Sequence, residues 1–528
     1  MVFLVLGNFN LFNIDIPAEV SLSRKASFEV AKESVKHNPF FGSGPGTFYY
    51  DFAKYRGHNF NSNPMWSTRF DNATGLLFEL VPTVGSLGAL AIIVTILIIL
   101  SLSFLALIKT AKKEVHSILL ACFSSFIAII LFSAIFFISN SLMLVMAIIT
   151  CFTLVTAINI YPEEFKSINL SLKTSPKYAL ALAAIFLSVT AGVVVLFTTG
   201  IKLYLADVYT KKAFASEDLV SRGSRLERAV ALNPYRDIYY LNLANNYMNL
   251  ANEEVAKENR DQAVVEQYLS QAVSSGKKAI EINPNSVASN ESLALVYENA
   301  SFYTRGALEW AENLYNNMKE LDPESPIPYL RIGLINMARA NAETDGEEKK
   351  FYINEAIKSY NEALAKKNDF GAAFYGKAIA YEQLDNTDEA IEQLKSAVIF
   401  TPNNVDYRFE LGRLYYNRGT EQAGISQNAS KEITEEEITE EGEGEGLSVE
   451  SGQGGGTIEK NEDLQMAEQT FLSILQYNPA HANALYSLGM LYQKVGEKDN
   501  MKIAVERLLQ VVNDEASLEI ISKQFPGY

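Results

Sequence analysis

Residues 371–402, GAAFYGKAIAYEQLDNTDEAIEQLKSAVIFTP, decide the fold of the C-terminal half of the chain. Small residues stand where two adjacent helices would touch, and a proline ends the second helix. Counted from Gly371, the residues that define the pattern occupy positions 8, 11, 20, 27 and 32: Ala378, Tyr381, Ala390, Ala397 and Pro402. The stretch therefore predicts a pair of closely packed α-helices.

The same register recurs in other parts of the chain, and a half unit at residues 225–234 starts the series. In the other units the small residue of position 8 is Ala244, Ala294, Gly333, Gly412 and Gly489. This pattern resembles the tetratricopeptide repeat family over residues 222–514. The resemblance implies a solenoid of helix pairs whose concave face binds a peptide or protein ligand.

The spacing from position 8 to position 20 differs between units. In chain order it is 28, 17, 23, 12, 55 and 12 residues, so every insertion falls between the two helices of a unit, on one edge of the solenoid. The largest insertion, residues 421–463, holds 13 acidic residues and 2 lysines. Its glycines and like charges predict disorder. A calcium site is the alternative, although the DxDxDG spacing of a calcium loop is absent.

Four apolar runs precede the repeats. Residues 86–108 read SLGALAIIVTILIILSLSFLALI, without a charge, and similar runs occupy 117–138, 142–160 and 178–201. A helix of this length crosses a hydrocarbon core of about 30 Å. We therefore expect an all-α protein with four transmembrane helices followed by the solenoid, and the lipid bilayer as one partner.

Loop charges predict the orientation. Lysines follow the first and third runs: Lys109, Lys112, Lys113, Lys166, Lys173 and Lys177. The positive-inside rule makes these two loops cytoplasmic, which places residues 1–85 and the repeats on the extracytoplasmic face of the cell (inner) membrane. The basic residues after the last run oppose this orientation: Lys202, Lys211, Lys212 and Arg222.

The expected domains are an outer segment at 1–85, the membrane region at 86–201, the solenoid at 202–420, the acidic insertion at 421–463 and the last repeats at 464–528. The net charge of -17 argues against a nucleic-acid partner. Two cysteines and four histidines argue against a disulfide scaffold or a Cys/His metal site, so no metal or cofactor is expected. Within the repeats, Glu389 and Glu392 are interpreted as a solvated helix face, and His481 as a helix start without a partner.

Residues 38–48, NPFFGSGPGTF, contain three closely spaced glycines, Gly42, Gly44 and Gly46. Their backbone N–H groups could bind an anion such as a phosphate. The alternative is a tight turn with a structural role only. The motif lacks the GK[ST] of a P-loop.

Together with WSTRF at 66–70 and LLFELVPTVGSLGALA at 76–91, this motif is similar to the C-terminal half of the O-antigen ligase/polymerase family over about residues 20–200. The resemblance implies a membrane glycosyltransferase that uses an undecaprenyl-pyrophosphate-linked glycan on the extracytoplasmic face, without a metal. Some members carry a tetratricopeptide tail. Most members have further spans ahead of the outer loop, so we expect this chain to lack its front half.

The resemblance makes Arg69 and Arg56 candidate catalytic residues, because a pyrophosphate leaving group requires positive charge. The alternative is that these arginines pair with Asp51 or Asp71, or contact lipid headgroups. The family pattern has a His-Asn pair where this chain has Thr74 and Gly75.

The nearby histidine, His58, is interpreted as a displaced general base or as a surface histidine. Two functional hypotheses result, of which the enzymatic one is what the resemblance to the ligase family implies. The first is a ligase-type glycosyltransferase with a repeat domain for protein interaction, and the alternative is a non-enzymatic membrane scaffold for cell-envelope assembly.

Overall fold

The computed structural model describes residues 21–110, 113–136, 140–160, 176–439 and 458–526. Within these ranges the regular elements are helices, and no strand is present. The prediction of an all-α protein is therefore confirmed for the part of the chain that the structure describes.

The chain forms two compact units, Met1–Ser325 and Pro326–Tyr528. The helices of the first unit are α1 Arg24–His37, α2 Phe48–Tyr55, a 3-10 turn His58–Ser62, α3 Leu76–Lys109, α4 Lys113–Ile135, α5 Asn140–Ile160, α6 Pro176–Phe214, α7 Leu219–Leu232, α8 Asp237–Val255, α9 Gln262–Ile282, α10 Val287–Ala300 and α11 Ala307–Leu321. Those of the second unit are α12 Ile327–Ala342, α13 Gly346–Lys366, α14 Gly371–Glu382, α15 Thr387–Phe400, α16 Val405–Thr439, α17 Glu462–Tyr477, α18 Ala482–Val495, α19 Lys498–Val511 and α20 Glu515–Gln524.

Three helices among the described residues are long and apolar enough to cross a membrane: Leu76–Lys109, Val115–Ile135 and Leu180–Phe214. The run expected to form the third span contributes a shorter apolar stretch, Leu142–Thr156. Of the four expected spans, three are therefore present as helices with the length and composition that a membrane span requires. Large apolar side chains on α6, such as Leu196 and Phe197, are 75% and 69% exposed. A hydrocarbon environment would cover them.

The predicted repeats are present as helix pairs: α8 with α9, α10 with α11, α12 with α13, α14 with α15, α16 with α17, and α18 with α19. The residue of position 8 is buried in all six pairs: Ala244, Ala294, Gly333, Ala378, Gly412 and Gly489. Small side chains at this position allow the two helices of a pair to pack closely. The predicted half unit corresponds to α7, which packs against the end of α6.

Several insertions take the form of additional helical turns. Helices α8 and α9 have 19 and 21 residues, whereas α14 and α15 of the pair without an insertion have 12 and 14. The insertions therefore lengthen the helices toward one edge of the solenoid and leave their packed faces in register.

Disorder was expected for the acidic insertion, but its residues 421–439 are helical and belong to α16. No glycine or proline stands between Gly424 and Gly442, and glutamate favours helix, so the helix continues from the repeat into the insertion. Residues 440–457 lie outside the described residues.

Tyr360 of α13 shows how closely the repeats pack. Its ring lies between two glycines of neighbouring helices and is 0% exposed. A Cβ added at Gly333 would lie 2.3 Å from Tyr360 Cε1, and one added at Gly376 would lie 2.6 Å from Cζ. Glycine at these positions is therefore required by close approach of the ring.

We expect Gly333→Ala to lower the free energy of unfolding by about 1–3 kcal/mol, because the added methyl overlaps the fully buried ring of Tyr360, which Gly376 contacts from another helix. Gly346→Ala in α13 is the matched control, since no atom lies within 4 Å of its added Cβ. Denaturation of the purified chain in detergent, followed by circular dichroism, measures both. Equal stability of the two variants would contradict this packing.

Candidate functional site

Residues 21–75 form a small folded element ahead of the first apolar helix, here called the juxtamembrane segment. Its core contains Val30, Phe48 and Phe52, each 0% exposed. The rings of Phe60 and Phe70 meet Phe52 edge to face, with centroids 5.3 and 5.6 Å away. Such contacts are favourable for aromatic rings. This core holds the chain on either side of the 3-10 turn. Arg56 lies just before the turn, and Arg69 lies after it.

Arg56 is a buried cation that the repeats neutralise. Its Nε donates to Asp322 Oδ1 at 3.0 Å, and its Nη1 donates to the carbonyl of Trp66 at 2.6 Å. The two charged side chains are only 3% and 1% exposed. Burial lowers the pKa of Arg56, and the Asp322 carboxylate opposes that effect.

Arg69 approaches the same carboxylate from the other side. Its Nε lies 3.4 Å from Asp322 Oδ2, and its Nη1 lies 3.5 Å from Glu291 Oε2. Burial would lower the pKa of Arg69, but Asp322 and Glu291 together raise it. One buried carboxylate thus accepts from two guanidinium groups on one juxtamembrane segment.

Further polar contacts surround this centre. His58 Nδ1 lies 2.8 Å from Glu324 Oε2, and Asn61 donates to the carbonyl of Glu324 at 2.7 Å. On α2, the hydroxyl of Tyr50 accepts from Asn283 at 2.6 Å. Apart from Glu291 of α10, the acceptors and donors of the repeats lie in the turns that follow α9 and α11. The juxtamembrane segment therefore docks on one edge of the first unit, which is formed by the turns between successive repeats.

Asp322 differs from its counterparts in other repeats. The residue before the turn proline is Asn233, Asn283, Thr401 or Asn478 elsewhere. The backbone is nearly the same, with φ -138° and ψ 75° at Asp322 and φ -139° and ψ 82° at Asn283. The carboxylate is thus not required by the turn. It is the sequence signal that could have identified this site.

The structure brings the three predicted catalytic residues together. Arg56 and Arg69 meet at Asp322, and His58 lies beside Glu324. The described contacts pair the arginines with an acid of the repeats, whereas the sequence suggested Asp51 or Asp71. A catalytic role for the three residues stays a prediction.

The glycine motif lies against a break in α3. Gly85 has φ 71° and interrupts the helix after Pro82. Ser43 N–H donates to the Pro82 carbonyl at 3.0 Å, and Gly44 N–H donates to the Thr83 carbonyl at 2.7 Å. In return, the N–H groups of residues 86 and 87 donate to the carbonyls of residues 39 and 40, at 3.0 and 3.2 Å.

A Cβ at Gly42 would lie 2.5 Å from the Thr83 carbonyl oxygen, so the loop can approach only as glycine. The motif therefore completes the hydrogen bonding of a broken helix. Anion binding by Gly42, Gly44 and Gly46 stays a prediction.

A buried acid lies behind this loop. Asp51 accepts from Ser43 Oγ at 2.5 Å and from Ser34 Oγ at 3.3 Å. Burial raises the pKa of Asp51 to about 6, although both hydroxyl groups favour the ionised form. This acid links α1, the glycine loop and α2.

The second unit contains an apolar groove of about 460 Å³. First helices of its repeats form most of the lining, which comprises Leu330, Leu334, Met337, Asn341, Tyr360, Ala372, Tyr375, Gly376, Ile379 and Tyr407. Tyr375 and Tyr407 stack with ring centroids 4.6 Å apart. The buried hydroxyl of Tyr360 has no hydrogen-bond partner among the described residues. The groove is suited to an uncharged, apolar ligand group.

Other residues singled out from the sequence have structural roles. His481 caps α18, since its Nδ1 accepts from the Ala484 N–H at 3.1 Å. Glu392 is 66% exposed and pairs with Lys395 of the same helix, as expected for a solvated face.

Comparisons with known proteins concern the repeats. Residues 482–511, which are α18 and α19, match the tetratricopeptide repeat family. A TPR repeat-containing protein of Methanocaldococcus jannaschii is 27% identical over 172 residues, which are 31% of this chain and 28% of that protein. The match therefore covers less than a third of the relative's length.

Two solved structures are similar at low identity. A tetratricopeptide repeat protein from Parabacteroides merdae is 14% identical with a TM-score of 0.36, covering 61% of this chain and 98% of its own. YrrB, described as a TPR protein with an unusual peptide-binding site, is 18% identical with a TM-score of 0.30, covering 47% and 98%.

The family match and the archaeal relative support tetratricopeptide-type repeats in the C-terminal half. The resemblance of residues 20–200 to the O-antigen ligase family stays a prediction.

We expect Asp322→Asn to release the juxtamembrane segment, because it leaves the buried guanidinium of Arg56 without its carboxylate and removes one of the two acids beside Arg69, at a cost of about 3 kcal/mol or more. Hydrogen exchange of residues 56–69 should accelerate by roughly 100-fold. The turn itself accommodates asparagine, as Asn283 demonstrates.

Asp388→Asn is the control for loss of an ion pair, since Asp388 is 80% exposed beside Arg418. Its effect on the juxtamembrane segment should be nil. Unchanged exchange in Asp322→Asn would show that the buried contact does not hold the segment.

Proposed function

We propose that the chain is a membrane-anchored scaffold that presents tetratricopeptide-type repeats for binding a protein partner. The observation that carries the proposal is the contact of Arg56 and Arg69 with Asp322. It ties the first repeats to the segment that leads into the first apolar helix. A domain fixed in this way differs from one joined to its anchor by a flexible linker.

The ligand chemistry follows from the groove of the second unit. Leu334 is 40% exposed at its surface, and the lining contains no acidic or basic side chain. An extended peptide with an apolar side chain would bury the leucine and the stacked tyrosines.

A photo-crosslinking amino acid placed at Leu334 should capture the partner in cells, and mass spectrometry identifies the captured peptide. We expect Leu334→Asp to weaken binding of that peptide at least tenfold, since burial of a leucine contributes about 1.5–3 kcal/mol.

Ile399→Asp is the matched control. Ile399 belongs to the same unit, is 71% exposed and lies outside the groove. Calorimetry with the purified chain and the captured peptide measures both variants. Equal weakening by the two substitutions would exclude the groove as the binding site.

Glycan transfer is the second proposal. One observation favours it: two of the three stretches that carry the resemblance to the ligase family, 38–48 and 76–91, bind each other through four backbone hydrogen bonds. The motifs therefore form one structural element at the start of α3. In this proposal Arg69 contacts the pyrophosphate of an undecaprenyl-linked glycan, which requires the guanidinium to exchange Asp322 for phosphate.

A comparison of two variants separates chemistry from docking. If Arg69 stabilises the leaving group, Arg69→Ala should abolish glycan transfer, whereas Asp322→Asn should retain it. Transfer is measured in detergent with an undecaprenyl-pyrophosphate-linked glycan and the full chain. Equal transfer by the two variants would leave Arg69 with a docking role only.

A further inference from the structure

We infer that helix α5, Asn140–Ile160, crosses the membrane as a fourth span. It follows that the juxtamembrane segment and the repeats of the first unit share one membrane face, and that this face is extracytoplasmic. Among the described residues, three helices satisfy the usual criteria of length and composition for a membrane span, which is an odd number. The contact of Arg56 with Asp322 requires an even number of crossings between these two residues.

The juxtamembrane segment gathers the ends of three apolar helices. A Cβ at Gly75, just before α3, would lie 2.8 Å from the carbonyl oxygen of Ala134 in the last turn of α4. Arg24 lies 3.4 Å from the carbonyl of Ile135. A cavity of about 270 Å³ is lined by Gly46, Leu76 and also Met143 of α5. The start of α3, the end of α4 and the start of α5 therefore lie at one membrane face.

The end of α6 lies at the same face. Asp207 in its last part accepts from Arg236 at 2.8 Å and from the Tyr239 hydroxyl at 2.5 Å, which joins α6 to the repeats. The repeats in turn hold the juxtamembrane segment through Asp322. Because α6 is itself long and apolar enough to span, its start at Pro176 lies at the opposite face.

The chain must therefore change face between the start of α5 and the start of α6. Residues 161–175 contain Glu163, Glu164, Lys166 and Lys173, which makes them unsuited to the hydrocarbon core. Helix α5 must therefore make this crossing. It has 21 residues, about 31 Å of helix, and its sequence has no charged residue.

The side chains of α5 fit lipid. Leu144, Ile148 and Val155 are 63%, 59% and 59% exposed. The hydroxyls of Thr150 and Thr153 donate to carbonyls one turn earlier, both at 2.8 Å, so they require no water. By the positive-inside rule, the lysines of the loops after α3 and α5 place those loops in the cytoplasm, which assigns the repeats of the first unit to the outer face.

Single cysteines test the inference in a background with Cys122 and Cys151 replaced by alanine. Three serine positions serve as matched probes: Ser67→Cys in the juxtamembrane segment, Ser270→Cys in α9 and Ser171→Cys in the link after α5. A membrane-impermeant maleimide is applied to spheroplasts before and after permeabilisation, with the full chain in the membrane fraction. We expect complete labelling of the first two in intact spheroplasts, and of the third only after permeabilisation.

Each other pattern overturns part of the inference. Labelling of Ser171→Cys together with Ser67→Cys would mean that α5 does not cross. Opposite behaviour of Ser67→Cys and Ser270→Cys would exclude the Asp322 contact in the membrane. Labelling of both only after permeabilisation would overturn the extracytoplasmic assignment. None of these results depends on whether the groove of the second unit binds a peptide.

Discussion

The buried carboxylate of Asp322 is the constraint on which the arrangement of the first unit depends. Two guanidinium groups and one carboxylate have left water together, and each is stable there only while the others stay in place. Such a centre contributes little net stability compared with apolar packing of the same volume. It does fix one position of the juxtamembrane segment on the repeats, because any displacement of the segment leaves a buried charge unpaired. The repeats are therefore held against the juxtamembrane segment in one orientation.

That constraint explains where the repeats vary in length. The turns between successive repeats carry Asn283, Asp322 and Glu324, which contact the juxtamembrane segment. An insertion there would displace these groups from their partners. The opposite edge, between the two helices of a unit, has no such contact among the described residues. Within the first unit, the extra turns in α8 and α9 extend toward it without disturbing the docked edge.

Local patterns in the sequence predicted the local structure well. Closely packed pairs follow from small residues at helical spacing, since that spacing is a property of neighbouring turns. The docking involves Arg56 and Asp322, which are 266 residues apart, and no local pattern relates them. The acids expected as alternative partners of Arg56 and Arg69 were Asp51 and Asp71, which are close in sequence, whereas the acid that both arginines contact belongs to the repeats. The sequence does show an acid, Asp322, where other repeats have asparagine. Its role in docking becomes evident only once Arg56 and Arg69 are known to contact it.

The same reasoning applies to the glycines. Three glycines between residues 42 and 46 predict a tight turn, and Gly42, Gly44 and Gly46 all have positive φ, which glycine adopts without strain. Whether the loop then binds an anion or a helix depends on α3, where Gly85 breaks the hydrogen-bond ladder and leaves two carbonyls to satisfy. Over residues 421–439, by contrast, composition alone misled, because glutamate continues a helix that a packed repeat has already nucleated.

The two proposed functions depend on the same guanidinium groups. A pyrophosphate that reaches Arg69 competes with Asp322 Oδ2 for that guanidinium, whereas Asp322 Oδ1 keeps its contact with Arg56. Arg56 is only 3% exposed, so its carboxylate partner cannot leave without stranding a buried charge, which is costly. A substrate phosphate would therefore loosen the Arg69 side of the docked edge, while the Arg56 side continues to hold the first repeats. Glycan transfer and a fixed scaffold thus compete for Arg69 and not for the whole contact.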